Sequence, residues 1–331
     1  MKVLILRFSS IGDIVLTSTV VRCLKLQQPQ IELHYATKAS YVGILESNPH
    51  IDKIHLLKDD INALISSLQA ENFDLVLDLH NNLRTQIIKL RLRVKSYSVN
   101  KLNFEKWLLT QFKINKLPKY KHIVDRYLYT AKTLGIVNDA KGLDYFIPSK
   151  DEVIIENLFV TAKESYIALV IGAKFATKRM PFNKLLELCD QIDLPIILLG
   201  GLDDLARGEE LSINSTNKEI YNACGKLNLN QSASVIRQAT LVITHDTGLM
   251  HIAAAFQKNI ISIWGNTVPE LGMYPYMSKD KFKAVEVKDL SCRPCSKIGH
   301  KKCPKGHFDC MQKIDTKEIL SEMHYYLKPV E

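Results

Sequence analysis

Long apolar runs are missing from this sequence. No stretch reaches the about 18 consecutive apolar residues that a membrane-crossing helix needs, so no such helix is expected. The apolar run in Met1-Lys2-Val3-Leu4-Ile5-Leu6-Arg7 is too short for a signal peptide and reads as a first β-strand. A cytoplasmic protein is therefore expected. No low-complexity tract or internal repeat is visible. The glycine spacing of a dinucleotide fingerprint is also missing: Ser9-Ser10-Ile11-Gly12-Asp13, after the first strand, has one glycine where G-x-G-x-x-G needs three. That argues against a nicotinamide or flavin enzyme. No recognised nucleic-acid module appears, so no nucleic-acid partner is expected.

What is present is a soluble, globular composition, 46% hydrophobic and 24% charged, with a net charge of +9. The charge favours anionic partners such as nucleotides or phosphorylated lipids. At 331 residues, two domains of about 150 residues are the default. Strand patterns at Val3–Leu6, Glu32–Ala36, Lys53–Leu57, Leu75–Leu79 and Ser96–Val99 alternate with helical spacing at Ile14–Gln27, Tyr41–Ser47, Ile61–Gln69 and Val124–Leu134. The second half repeats this style. Strands are expected at Tyr166–Ile171, Ile196–Leu199, Glu219–Asn222, Leu241–Thr244 and Ile260–Trp264. Helices are expected at Phe182–Gln191, Asp204–Ile213, Asn230–Gln238, Leu249–Phe256 and Thr316–Leu327. Such alternation predicts parallel sheets covered on both faces, in two Rossmann-like α/β domains with a boundary near Ile147–Val160.

Six places carry candidate chemistry. Thr244-His245-Asp246-Thr247-Gly248-Leu249-Met250-His251 passes from a strand into a helix, whose unpaired first N–H groups and dipole favour an anion such as phosphate. Asp13 lies at the mouth of the first sheet, as a reactive carboxylate or as a helix cap. Gly172-Ala173-Lys174-Phe175-Ala176-Thr177-Lys178-Arg179-Met180-Pro181 gathers cations and a hydroxyl suited to holding a diphosphate, and also reads as a solvated basic loop. Gly200-Gly201-Leu202-Asp203-Asp204 follows a strand; an acid there either takes ribose hydroxyls or caps a helix. Between Arg84 and Arg126, twelve basic residues face two acids, with Trp107, Leu108, Leu109, Phe112 and Ile114 interleaved. That mixture suits an anionic membrane surface or a phosphorylated lipid, or is a solvated face over ordinary core residues. Finally Cys292, Cys295, Cys303 and Cys310 fall within nineteen residues. They are candidate ligands of a structural zinc, or free thiols or disulfides, although only the first pair has ligand spacing. Cys23, Cys189 and Cys224 sit in apolar contexts and read as core residues.

Taken in order, Ser10-Ile11-Gly12-Asp13, Asp78-Leu79-His80-Asn81-Asn82-Leu83-Arg84, Thr177-Lys178-Arg179-Met180-Pro181, Gly200-Gly201, Asp246-Thr247-Gly248-Leu249-Met250-His251 and the late Cys-x2-Cys cluster resemble glycosyltransferase family 9, the heptosyltransferases of lipopolysaccharide core assembly. The resemblance implies a GT-B architecture, two Rossmann-like domains with parallel sheets facing a central cleft. Residues 1–150 would bind the acceptor. Residues 151–331 would bind the nucleotide sugar, with a terminal helix returning to the first domain. It further implies an inverting transfer that needs no metal or cofactor, from an ADP-sugar such as ADP-heptose to a lipid-linked saccharide at the inner face of a membrane. In that reading Asp13 is the general base and Lys178 neutralises the departing diphosphate. Thr177, Asp203, Asp246, Thr247, Gly248, Leu249 and His251 hold the donor, and Ser10, Gly12, His80 and Arg84 the acceptor. Two departures stand out. Ala173-Lys174 replace a threonine pair and His80 replaces a glutamine, which leaves open a nucleotide-sugar-binding protein without transfer activity.

Overall fold

The structure is a computed structural model that describes residues 1–118 and 122–328. Lys119 and Lys121 of the basic segment lie outside the described residues. The chain forms two compact units. One holds the described residues of 1–101 and 121–146, the other those of 102–120 and 147–331.

The first unit is built on five parallel strands, β1 (Lys2–Leu6), β2 (Glu32–Lys38), β3 (Lys53–Leu57), β4 (Leu75–Asp78) and β5 (Ser96–Ser98), in the order β3-β2-β1-β4-β5. Its helices are α1 (Ile11–Val15), α2 (Ser18–Gln27), α3 (Ile61–Gln69), α4 (Leu83–Leu92) and α6 (Ile123–Thr130). Leu4, Leu6, Ala36, Leu57 and Val76 of the sheet bury themselves against Leu64, Ile65 and Leu68 of α3 and Ile88 of α4. The apolar spacing that predicts α3 is reinforced by Asp60, whose carboxylate accepts from the N–H groups of Asn62 (2.7 Å) and Ala63 (3.3 Å). The helix expected over Ile14–Gln27 is interrupted. The Thr17 hydroxyl takes the Ile14 carbonyl at 2.7 Å and meets the Tyr35 hydroxyl at 2.9 Å, a side-chain bond that competes with the helical ladder.

The second unit has six parallel strands, β6 (Ile167–Val170), β7 (Ile196–Leu199), β8 (Ile220–Asn222), β9 (Leu241–His245), β10 (Ile260–Trp264) and β11 (Phe282–Glu286), in the order β11-β10-β9-β6-β7-β8. Around it lie α5 (Asn103–Phe112), α7 (Ile155–Leu158), α8 (Phe182–Cys189), α9 (Leu205–Asn214), α10 (Leu229–Gln238), α11 (Gly248–Ala255), α12 (Asp309–Gln312) and α13 (Thr316–Leu327). Ile319, Leu320 and Met323 of α13 join Leu185 and Leu188 of α8 and Ile243, Ile261 and Ile263 of the sheet in one core. Cys189 and Cys224 are fully buried there and Cys23 in the first unit, as their apolar contexts predict.

The basic segment is thus divided. Residues 84–101 belong to the first unit, whereas 102–118 pack within the second, where Leu109 and Leu117 meet Val268 and Leu271. The expectation that the whole segment lies on the first domain is corrected accordingly. Among the described residues no helix is long and apolar enough to cross a membrane.

Candidate active site

In the first unit, Asp13 stands at the C-terminal end of β1, at the third position of α1. Its Oδ1 lies 2.6 Å from Nη2 of Arg7. Its Oδ2 accepts from Ser10 Oγ at 2.7 Å and Ser10 N at 3.2 Å. Arg7 is 8% exposed. It also donates to the carbonyls of Ser9 (2.9 Å) and Leu79 (2.6 Å) and to the Tyr127 hydroxyl (3.0 Å). A guanidinium with five fixed donors orients the carboxylate from the floor of the sheet. Gly12 is buried behind it, while Ser10 is exposed.

The turn after β4 brings in the next residues. Asp78, fully buried, accepts from the N–H groups of His80 (3.1 Å) and Asn81 (2.6 Å) and pairs with Lys89 Nζ at 2.9 Å. His80 Nδ1 accepts from Phe8 N at 3.2 Å. Burial, aided by the Arg7 charge, pulls the imidazole down to about 4. At neutral pH the ring is therefore uncharged with its proton on Nε2, a fixed hydrogen-bond donor. The Arg84 guanidinium lies 5.8 Å over the Phe8 ring, at the start of α4.

In the second unit, β9 ends on His245 and α11 begins at Gly248, with Thr247 in extended conformation as its N-cap. The first-turn N–H groups have no intrahelical partners. Asp246, 9% exposed, lies in this turn. Its Oδ2 is 2.5 Å from Lys178 Nζ and accepts from Thr267 Oγ1 at 2.9 Å; the same ammonium reaches the Asp246 carbonyl at 3.2 Å. So Lys178, Asp246 and the helix start form one cluster, with Thr267 supplied by the turn after β10. Thr247, Gly248 and Leu249 are partly exposed, whereas His251 is 2% exposed on the inner side of α11.

Several residues hold this cluster that the motifs did not reveal. His245 Nε2 accepts from Met180 N at 3.0 Å; burial and the cations of Arg207 and Arg179 bring its imidazole down to about 3. That neutral ring ties β9 to the Lys178 loop. Arg207 donates to the Met180 carbonyl. Arg293 donates to the carbonyls of Gly265 (2.5 Å) and Thr267 (2.9 Å). Thr177, expected to touch phosphate, is 2% exposed, and its hydroxyl is spent on His300: it accepts from His300 N at 2.8 Å and donates to His300 O at 3.2 Å. His245, which ends β9 inside the string from Thr244 to His251, and Thr267, just after β10, share a positional signal, their place at the carboxyl end of a parallel strand.

The glycines after β7 have two different reasons. A Cβ on Gly200 would sit 2.8 Å from Cβ of Asp204 and 3.0 Å from Sγ of Cys224, so the close approach there is internal. At Gly201 only Asp204 Oδ2, at 3.9 Å, comes near. Asp204 is buried and accepts from Gly201 N at 3.0 Å; Asp203, beside it, is exposed.

The four late cysteines carry free thiols; burial raises Cys310 to about 12 and Cys295 above its ordinary value. Among the described residues, the one set of three candidate ligand atoms within 4.8 Å of one another is His34, His55 and Glu71, in the first unit. There His34 Nδ1 meets His55 Nε2 at 2.9 Å and His34 Nε2 meets Glu32 Oε1 at 2.8 Å, while Glu71 is engaged by Lys2 and Lys53. Burial, with the neighbouring His34, brings His55 down to about 4. Between pH 6.5 and 4 the unfolded chain takes up a proton that folded His55 refuses, so stability present above that window is lost as pH falls through it. The expected loss at this site is roughly 3 kcal/mol. Urea unfolding at neutral and acid pH should show a smaller acid loss in His55→Gln than in the parent; equal losses would remove His55 as the cause.

The sequence model of glycosyltransferase family 9 (heptosyltransferase) matches residues 61–305. The chain is 26% identical over 289 residues to lipopolysaccharide heptosyltransferase 1 of Campylobacter coli, covering 81% of this chain and 84% of that protein. In fold it is similar to the crystal structure of the glycosyl transferase family 9 protein from Veillonella parvula DSM 2008, with a TM-score of 0.79 and 20% identity over 98% of this chain and 97% of that one. It is likewise similar to the structure of the E. coli ADP-heptose LPS heptosyltransferase II, with a TM-score of 0.75 and 20% identity over 99% and 98% of the two chains. Two parallel α/β sheets of five and six strands thus match the expected GT-B class. The chain is a glycosyltransferase and belongs to glycosyltransferase family 9, the heptosyltransferase family.

Proposed function

We propose that this enzyme moves heptose from ADP-heptose to the lipopolysaccharide inner core or a related anionic lipid-linked saccharide, with inversion at the anomeric carbon. The observation that carries the reading is the cluster of Lys178, Asp246 and Thr267 at the start of α11. An ammonium beside unpaired helix N–H groups is a ready place for a departing diphosphate. The sugar and the acceptor class are drawn from the similar lipopolysaccharide heptosyltransferase 1 of Campylobacter coli and the E. coli ADP-heptose LPS heptosyltransferase II.

The bond changes follow from the residues. The Asp13 carboxylate accepts the proton of the acceptor hydroxyl, and that oxygen attacks the anomeric carbon. The bond from that carbon to the β-phosphate oxygen breaks, and the electron pair leaves with ADP. Lys178 and the N–H groups of Thr247, Gly248 and Leu249 meet the charge, while Asp246 orients the sugar. Asp203, which is exposed, takes the nucleoside hydroxyls in this reading. On the first unit, Ser10 and Gly12 shape the acceptor side, His80 donates from Nε2, and Arg84 offers a cation to an acceptor phosphate. An acceptor embedded in lipid puts the enzyme on the inner face of the membrane as a peripheral protein.

The test is thermal stabilisation by a panel of nucleotide diphosphate sugars. A ligand at 100 times its Kd raises folding stability by about 2.7 kcal/mol. ADP-heptose is expected to raise the melting temperature most. Stabilisation by a uridine or guanosine diphosphate sugar, with none by ADP-heptose, overturns the donor assignment. A second reading, donor binding without transfer, draws on Ala173, which offers only its carbonyl (to Arg179 Nε, 2.7 Å). Stabilisation by ADP-heptose with no ADP released in the presence of acceptor would favour it.

A further inference from the structure

We propose that the outward face of α5, together with the cysteine-rich loop 292–305, docks on an anionic lipid bilayer and that this docking face belongs to the second unit. The proposal rests on the reading that the acceptor is lipid-linked, and it assigns the surface that meets the lipid.

Helix α5 buries one residue, Leu109. Phe104, Trp107 and Phe112, with Ile114 just beyond, are 66%, 48%, 58% and 46% exposed. The rings pack on one another instead of on a core: Phe104 stacks on Trp107 at 6.0 Å and Phe112 meets Trp107 edge-on at 5.1 Å. Three adjoining exposed aromatic rings form the kind of apolar patch that marks an interaction surface.

Loop 292–305 runs beside this patch. Lys113, at the C-cap of α5, donates to the carbonyls of Cys292 (3.2 Å) and Pro294 (2.7 Å), and Lys297 Nζ lies 3.4 Å from Asn103 Oδ1 at the other end. The loop contains Lys297, Lys301, Lys302 and Lys305, all exposed, and no acidic residue. Ile298 at its tip is 54% exposed. The α5 segment adds Lys106 and Lys116 against the single acid Glu105. Arg293, the remaining cation of the loop, points inward onto Glu286 and the turn after β10. Exposed aromatic rings beside a lysine-rich loop that is tied to the same helix are complementary to headgroup phosphates above and acyl chains below. A protein partner would need acids to match the lysines and a pocket for the rings. The bilayer supplies both without a fixed shape. The loop is also fastened to the Lys178 loop through His300 and Thr177, so lipid contact here lies next to the phosphate-binding residues.

The chain has two tryptophans, and Trp264 is fully buried, so a change in emission reports Trp107. The 331-residue chain is mixed with phosphatidylcholine vesicles with and without phosphatidylglycerol. Expected are co-flotation and a blue shift of emission with the anionic vesicles only, weakened by salt. Lys301→Glu/Lys302→Glu/Lys305→Glu should lower partitioning about tenfold or more. Phe104→Ser/Phe112→Ser should lower it independently of salt. Stabilisation by ADP-heptose should stay unchanged in both, which establishes folding and the donor site. If the protein floats with anionic vesicles but neither variant alters this, the face is wrong and the peripheral reading survives. If it does not float at all, both fall. Trp107 shielded without vesicles, in a species of twice the mass, would assign the face to a second copy and overturn the proposal.

Discussion

Asp13→Asn is expected to lower transfer by about 10²- to 10⁴-fold while donor affinity holds. The amide keeps the shape of the carboxylate and can still accept from Ser10 Oγ and N, the 2.7 and 3.2 Å bonds that place it. It cannot accept a proton at neutral pH. The replacement also removes the negative partner of Arg7, a buried cation. The remaining bonds of that guanidinium to Ser9, Leu79 and Tyr127 satisfy part of its donors but leave its charge without a counter-ion, so a lower melting temperature accompanies the loss in kcat and donor binding is measured below that melting point. The measurement is single-turnover transfer across pH, in parallel with ADP-heptose binding. An acidic limb present in the parent and missing in the variant assigns the limb to Asp13. Unchanged turnover removes this residue from the chemistry.

Lys178→Ala is expected to cost about 10²- to 10³-fold in kcat and to weaken ADP binding more than the loss of one contact suggests. The reason is its partner. Asp246 is 9% exposed and held 2.5 Å from the ammonium. Removing the lysine alone leaves a buried carboxylate facing the diphosphate, and an uncompensated buried charge is worse than none. ADP lacks the sugar that Asp246 is proposed to orient, so ADP affinity isolates the charge effect. It should fall in Lys178→Ala and recover in part in Lys178→Ala/Asp246→Asn. Additive losses in the two single variants and the double would mean that the pair is uncoupled. They would leave Lys178 as an independent phosphate contact.

The sheets were legible because parallel strands buried on both faces are written as short apolar runs. Leu75–Asp78, Ile196–Leu199 and Leu241–His245 fall where those runs do. Strand β11, Phe282–Glu286, escaped notice because it is an edge strand, largely half-exposed, and its sequence Phe-Lys-Ala-Val-Glu is not continuously apolar. Helices α4 and α5 were hidden too. In α4 only Thr85 and Ile88 are buried, among Arg84, Lys89 and Arg91; α5 carries just Glu105 and Lys106, but its aromatic residues face outward and Leu109 alone is buried, so neither shows a core-facing 3.6-residue stripe. In the site, residues inside contiguous strings were visible. Those that reach in from elsewhere in the chain were not: Arg7 beneath Asp13, Thr267 on Asp246, and His300 on Thr177 are pairings of tertiary structure alone. Gly200 is silent in the sequence for a related reason. A glycine reports only that something comes close, and here it is Asp204.

The placement of α5 means that the covalent order of this protein differs from its structural order. The segment that covers Val268 and Leu271 is encoded inside the stretch that otherwise builds the other unit. No single cut therefore yields two self-sufficient halves. A fragment starting at residue 147 would leave Val268 and Leu271 bare, and its complement would trail an orphaned aromatic helix. Split reporters, lobe swaps between relatives and separately expressed lobes all need residues 102–118 grafted onto the later part of the chain.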